Sequence, residues 1–81
     1  MRIYDLNSEK KFDKVTLYLT PEEARELKDS LELLLNNKAH HHEHIPDRES
    51  DFKREITVCI YTEDNLSSFD ERSRRLILTQ E

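Results

Sequence analysis

The 81-residue sequence contains no glycine. Glycine adopts positive φ more readily than any other residue, so turns that need this conformation must use Asn or Asp, which tolerate it next best. The candidates are Asn7, Asn36, Asn37, Asp47 and Asn65. The absence of glycine also excludes the glycine-rich loops with which many nucleotide-binding proteins hold phosphate.

Composition limits both the core and the classes of ligand. Apolar residues make up 35% of the chain and charged residues 38%, so a core can form but must be thin. A domain of this size buries little more than about 60% of its unfolded surface, which makes self-association a reasonable expectation. The net charge of −5 argues against nucleic-acid binding, because that binding depends on clustered Lys and Arg.

The sequence also carries signals about location. Its apolar runs are all shorter than the roughly 18 residues that a transmembrane helix needs, and its first residues lack the apolar centre of a signal peptide. We therefore expect a cytoplasmic protein without membrane contact. The single cysteine, Cys59, has no partner for an internal disulfide or a Cys-x-x-Cys metal pair, and we interpret it as a small buried hydrophobe.

The clearest predicted element is a helix that begins after Thr20. The sequence Thr20-Pro21-Glu22-Glu23 matches a capping box with proline at the first helical position. An apolar stripe about 100° wide follows and predicts that one helix face packs on a core. Its members are Ala24, Leu27, Leu31, Leu34 and Leu35. The helix is predicted to stop at Asn36-Asn37, and Leu33, on the opposite acidic side, is a candidate partner contact.

Alternation of apolar and polar residues predicts strands on both sides of this helix. Residues 15–19 predict a half-buried strand with Val15, Leu17 and Leu19 facing inward, and the weaker strand at residues 3–6 would form a hairpin with it. Residues 55–62 are the strongest predicted strand, and apolar residues on both faces indicate an interior position in the sheet. Residues 66–79 predict a second helix with a capping box at Ser68, although residues 76–79 also fit a short terminal strand.

All four histidines lie in the sequence His40-His41-His42-Glu43-His44. If this segment is a strand, His40, His42 and His44 point outward while Ile45 anchors the inner face. Neighbouring imidazoles of the outer row lie about 6.6 Å apart and can share one zinc ion, whereas His40 and His44 are too distant for one compact site. A further ligand would come from the sheet neighbour or the acidic loop, with Asp47 as the main candidate and Glu49, Asp51 and Cys59 as alternatives.

The same histidines match the H-x-x-E-H pattern of inverted zinc peptidases. That motif needs a helix, however, and Asn36-Asn37 and Pro46 argue for a break on either side. We therefore expect no enzymatic activity. The remaining alternatives for the cluster are an inert polar strand face, a divalent-metal site, a proton-sensitive interface and a catalytic histidine.

Together these features predict a single α+β domain over residues 1–81. Its architecture would be two-layered, with the order ββαββα, a sheet of about four strands and helices on one face. The uncovered sheet face would carry Tyr18 and Tyr61. We interpret the chain as a small interaction module without catalytic residues or a cofactor, which forms a homodimer or binds another protein through Tyr18, Tyr61 and Leu33. The alternative is a zinc-binding protein that uses His40, His42, His44 and Asp47.

Overall fold

The computed structural model describes residues 1–37, 42–47 and 54–79. The order of elements is helix α1 (Pro21–Asn36), strand β1 (His42–Pro46), strand β2 (Glu55–Cys59), a short 3-10 turn (Leu66–Ser68) and helix α2 (Glu71–Leu78). The chain is therefore broadly α+β, as predicted. The predicted four-stranded sheet and the order ββαββα are wrong, because the described residues form two helices and a two-stranded antiparallel sheet.

Helix α1 begins with the predicted capping box. The Thr20 N–H donates to Glu23 Oε1 at 2.9 Å, and the Glu23 N–H donates to Thr20 Oγ1 at 3.2 Å. Pro21 occupies the first turn, where its missing N–H would have no partner within the helix. The helix stops at Asn36, and the capping residue Asn37 has φ −127° rather than the expected left-handed conformation.

The face of α1 that packs on the sheet differs from the predicted stripe. Glu23, Ser30 and Leu34 are buried, while Leu31 and Leu35 are exposed. At 100° per residue, the buried face is rotated by about 70° from the centre of the leucine stripe. The capping box satisfies the Glu23 carboxylate locally, and Ser30 Oγ lies 3.5 Å from Glu43 Oε1, so both polar side chains have partners in the interface.

Strands β1 and β2 form an antiparallel hairpin on which α1 packs, mainly through β1. His44 pairs with Thr57 and Ile45 with Ile56. Ile45 is only 2% exposed, so its predicted role as the inner anchor of the histidine strand is confirmed. The interior position predicted for the strand at residues 55–62 is wrong, because β2 has only β1 as a neighbour within the described sheet.

Residues 15–19 lie outside the sheet, contrary to the prediction of an inward-facing strand. The chain reverses earlier, within residues 5–10, where the Asp5 N–H donates to the Lys10 carbonyl at 2.9 Å and an isolated bridge joins Tyr4 to Lys11. Glu9 holds the positive φ of this turn at 60°, a position for which we expected Asn or Asp. Residues 3–6 are therefore engaged by residues 11 and 12, and the predicted hairpin with residues 15–19 does not form.

The amino-terminal turn docks on α2 through polar contacts. The Arg2 Nε–H donates to the Ile77 carbonyl at 2.8 Å, and the Tyr4 hydroxyl donates to the Leu76 carbonyl at 3.0 Å. These carbonyls belong to the last turn of α2, where backbone carbonyls have no N–H partner within the helix. Residues 76–78 are thus helical, and the cap of α2 is Asp70, whose Oδ1 accepts from the Ser73 N–H at 2.7 Å.

We call α1, β1 and β2 the helix–hairpin unit, and residues 1–12 with α2 the terminal unit. Phe69, just before α2, is buried. Neither helix described by the structure is long and apolar enough to cross a membrane.

Candidate functional site

An open groove of about 640 Å³ runs between residues 16–20 and the end of the β-hairpin at which Pro46 pairs with Glu55. One wall is formed by residues 16–20 together with Glu23 in the first turn of α1. The other wall is formed by residues 45–47 of β1 and residues 54–56 of β2. The groove therefore borders most of residues 15–19 and one end of the hairpin.

Residues 15–19, which we call the 15–19 segment, have the side chains of a strand without its hydrogen bonds. The chain runs from Lys14 to Thr20 without a bend or turn. Within the part of the chain that the structure describes, none of residues 13–19 makes a hydrogen bond. Val15 is 53% exposed, Leu17 49% and Tyr18 92%. The segment thus presents both apolar side chains and backbone donors and acceptors to a partner.

The sequence predicts Tyr18, Tyr61 and Leu33 as partner-binding residues, and the structure places them on three different elements. Tyr18 lies on the 15–19 segment and lines the groove. Tyr61 follows β2, and Leu33 lies on the acidic side of α1; both are exposed. The sheet face that was expected to hold both tyrosines does not exist, since the 15–19 segment is outside the sheet. Their role in binding remains a prediction.

The histidines on β1 form a small cluster on the face of the hairpin that points away from α1. The His42 and His44 rings meet edge to face, with centroids 4.9 Å apart. His44 Nδ1 lies 2.6 Å from Glu55 Oε1 and 2.9 Å from Thr57 Oγ1. Glu55 was not among the predicted site residues. The antiparallel register explains its contact with His44, because Glu55 pairs with Pro46 and so lies on the same face of the hairpin.

The other predicted metal ligands are not part of this cluster as the structure describes it. His40 lies outside the described residues. Asp47 lines the groove and forms an ion pair with Arg54, whose Nη1 lies 3.4 Å from Asp47 Oδ2. Strand alternation continued from His44 puts the Asp47 side chain on the opposite face of the hairpin. Among the described residues, no three His, Cys, Asp or Glu side chains come close enough to hold one metal ion.

Cys59 is exposed, which corrects the expectation of a buried hydrophobe. It pairs with His42 at the other end of the hairpin. Partial desolvation, and then the negative charge of Asp70, raise the pKa of the Cys59 thiol above its usual value. The thiol therefore stays protonated at neutral pH and is a poor nucleophile, as expected from the lack of a neighbouring cation.

Two features of the described residues can carry a function: the groove with the 15–19 segment, and the His42–His44–Glu55 cluster. The first offers exposed apolar side chains beside backbone groups without hydrogen bonds. The second offers two imidazole rings, one of which has a ring nitrogen in contact with a carboxylate. Comparison of the chain with protein-family models, with curated proteins and with solved structures found no match. These two geometries are therefore the basis on which a function can be assigned.

Proposed function

We propose that this protein is an interaction module that binds an extended strand of a protein along the 15–19 segment. The observation that carries the proposal is the combination of strand-like alternation, exposed apolar side chains and backbone groups without hydrogen bonds in the described structure. An extended peptide that pairs with such a segment gains main-chain hydrogen bonds, while alternate side chains give specificity.

The groove gives an added strand room beside this backbone. Neighbouring strands lie about 4.8 Å apart, so a bound strand would contact the side chains of the 15–19 segment directly. Burial of a Val or Leu side chain contributes about 1.5–3 kcal/mol when it is complete, and Val15 and Leu17 are each about half exposed. Strand addition would therefore reduce the exposure of these side chains and pair the backbone in the same step.

The test is a selection of random peptides for binding to the immobilised chain, followed by affinity measurements on two proline variants, Thr16→Pro and Leu17→Pro. We expect the bound peptides to alternate apolar and polar residues. Successive N–H groups of a strand point to opposite edges, so one of the two variants removes a donor from the pairing edge. Because proline also disturbs the ladder sterically, we expect that variant to bind the peptides about tenfold more weakly or worse.

Glu63→Pro is the matched control. Glu63 is exposed and follows Thr62, which opens a turn closed by hydrogen bonds between Thr62 and Asn65. Proline is tolerated at the second position of such a turn, so this variant should bind the selected peptides like the wild type. Peptides that bind both Thr16→Pro and Leu17→Pro at wild-type affinity would show that the 15–19 segment is not the binding element.

Zinc binding through the histidine strand is the second candidate. It is favoured by the contact of His44 Nδ1 with Glu55 Oε1, because a carboxylate on one ring nitrogen orients the other toward a metal. His42 is close enough for the two rings to share an ion. In this proposal a third ligand from another part of the chain completes the site.

Calorimetric titration with zinc tests the second candidate. A true site should lose affinity by about two orders of magnitude or more in His42→Ala and by about tenfold or more in Glu55→Gln. Asp29→Asn is the control, since Asp29 is an exposed carboxylate on α1 whose partner is Lys28. Equal affinities of all four proteins would mean that zinc binds elsewhere or without a defined site.

A further inference from the structure

The chain exposes more surface than a compact monomer of its mass. Its accessible surface is 6715 Å², whereas a folded monomer of 9.8 kDa exposes about 5,200 Å². The radius of gyration of 13.4 Å also exceeds the roughly 11.7 Å expected for a compact chain of 81 residues. Val15, Leu17 and Tyr18 contribute to this exposed surface, so a partner that contacts the 15–19 segment would cover part of it.

We infer that the strand bound by the 15–19 segment is the same segment of a second copy, in antiparallel register about Leu17. This inference rests on the proposed function and adds the identity and direction of the partner. In this register Leu17 faces Leu17, Val15 faces Leu19 and Thr16 faces Tyr18. A two-fold axis then passes through the Leu17 pair, and the interface is the same surface patch on both copies.

Charge on either side of the segment selects the antiparallel direction. Before the segment Lys10, Lys11 and Lys14 outnumber Glu9 and Asp13, while after it Glu22, Glu23 and Glu26 outnumber Arg25, so the two ends differ in net charge. Antiparallel pairing brings the basic end of one copy to the acidic end of the other. Parallel pairing brings like charges together at both ends, and like charges directly opposite each other destabilise a strand pair.

The side-chain pairs of this register also fit those found in stable sheets. Thr16 opposite Tyr18 is a β-branched residue opposite an aromatic one, which is a favourable cross-strand pair. Val15, Leu17 and Leu19 of both copies lie on one face and form a continuous apolar surface. The paired backbones exchange about four to six hydrogen bonds, according to the edge that is used. The segment thus obtains from a second copy the backbone pairing that its own hairpin does not supply.

Register-specific disulfides test this inference. In a Cys59→Ser background each added cysteine is the only thiol of the chain. We expect Leu17→Cys chains to form covalent dimers on mild oxidation, since facing residues of antiparallel strands have the Cα separation that a disulfide needs. Val15→Cys chains alone should cross-link about tenfold less, because their thiols are four residues out of register, whereas mixed Val15→Cys and Leu19→Cys chains should cross-link like Leu17→Cys.

The outcomes separate this inference from the proposed function. Efficient cross-linking of Val15→Cys with itself would show a parallel pair, and a monomer by light scattering across a dilution series would show that a second copy is not the partner. Either result overturns the inference and leaves peptide binding to the 15–19 segment intact. Peptides that bind both proline variants at wild-type affinity would instead overturn the proposed function, together with the self-pairing that rests on it.

Discussion

The helix–hairpin unit and the terminal unit are held together by different kinds of contact. In the first, α1 packs on the hairpin and buries Leu34 and Ile45. In the second, Arg2 and Tyr4 of the amino-terminal turn donate hydrogen bonds to backbone carbonyls of α2. Glu9 forms ion pairs with two arginines of the same helix. All of these contacts are exposed or half-buried. Burial of an apolar side chain contributes more to the free energy of unfolding than an exposed polar contact does. We therefore expect the helix–hairpin unit to be the more stable of the two.

The largest effect expected from a single change is in the helix–hairpin unit. Ile45→Ala removes the most buried apolar side chain of the described core and leaves a cavity, which should lower the free energy of unfolding by about 2–4 kcal/mol. Urea denaturation followed by circular dichroism measures the change. Leu78→Ala, at an exposed residue of α2, should stay within about 0.5 kcal/mol of the wild type. Equal effects of the two substitutions would contradict the difference between the units.

A smaller effect is expected from Tyr4→Phe in the terminal unit. The change removes the hydroxyl that donates to the Leu76 carbonyl and keeps the ring. Loss of one such hydrogen bond lowers the free energy of unfolding by about 0.5–1.5 kcal/mol. Amide exchange should quicken in α2 and remain unchanged in α1, which would show that the terminal unit opens by itself. Faster exchange in both helices would instead show that the two units unfold together.

The smallest effect is the pH dependence contributed by Glu9. Glu9 Oε1 lies 2.8 Å from Arg75 Nη2, and Glu9 Oε2 lies 3.0 Å from Arg72 Nε. The hydrogen bond from Arg75, and then the charges of both arginines, lower the pKa of the Glu9 carboxyl. Its contribution to stability is therefore present above the ordinary carboxyl pKa and is lost as the pH falls through the lowered pKa of the folded state.

Comparison of Glu9→Gln with the wild type isolates this contribution. Asp5 and Asp70 also have lowered pKa values, because they accept hydrogen bonds from Asn7 and from Ser73 respectively. The pH dependence of stability in the wild type therefore contains contributions from all three carboxyl groups. The difference in unfolding free energy between the two proteins should shrink as the pH falls through the lowered pKa of Glu9. A difference that is constant with pH would exclude an ionised Glu9 as the link to α2.

Signals contained within a few residues correctly predicted the start of α1 and the inner face of β1. Thr20 and Glu23 are three residues apart and form their capping box without help from the rest of the chain. Alternation in β1 correctly placed Ile45 inside, because the two faces of a strand follow from its backbone geometry alone. The rotation of α1 was not predictable in the same way, since it places the buried Ser30 beside Glu43 of β1, a contact between two different elements.

Pairing between distant parts of the chain could not be predicted from these signals. Residues 15–19 alternate like a strand, yet their place outside the sheet depends on how early the chain reverses near Glu9. The same limit applies to the candidate site. The sequence indicated His42 and His44, whereas the contact of Glu55 with His44 follows from the register of two strands separated by a loop.

Amide hydrogen exchange of the 15–19 segment, measured over a range of protein concentrations, tests the central claim most directly. Backbone groups without intramolecular hydrogen bonds exchange quickly, and pairing with a second strand protects them. We predict that alternate amides of the 15–19 segment, those on the paired edge, become more protected as the concentration rises, while those of α1 do not change. Fast exchange of these amides at every concentration would contradict the pairing of two copies through this segment.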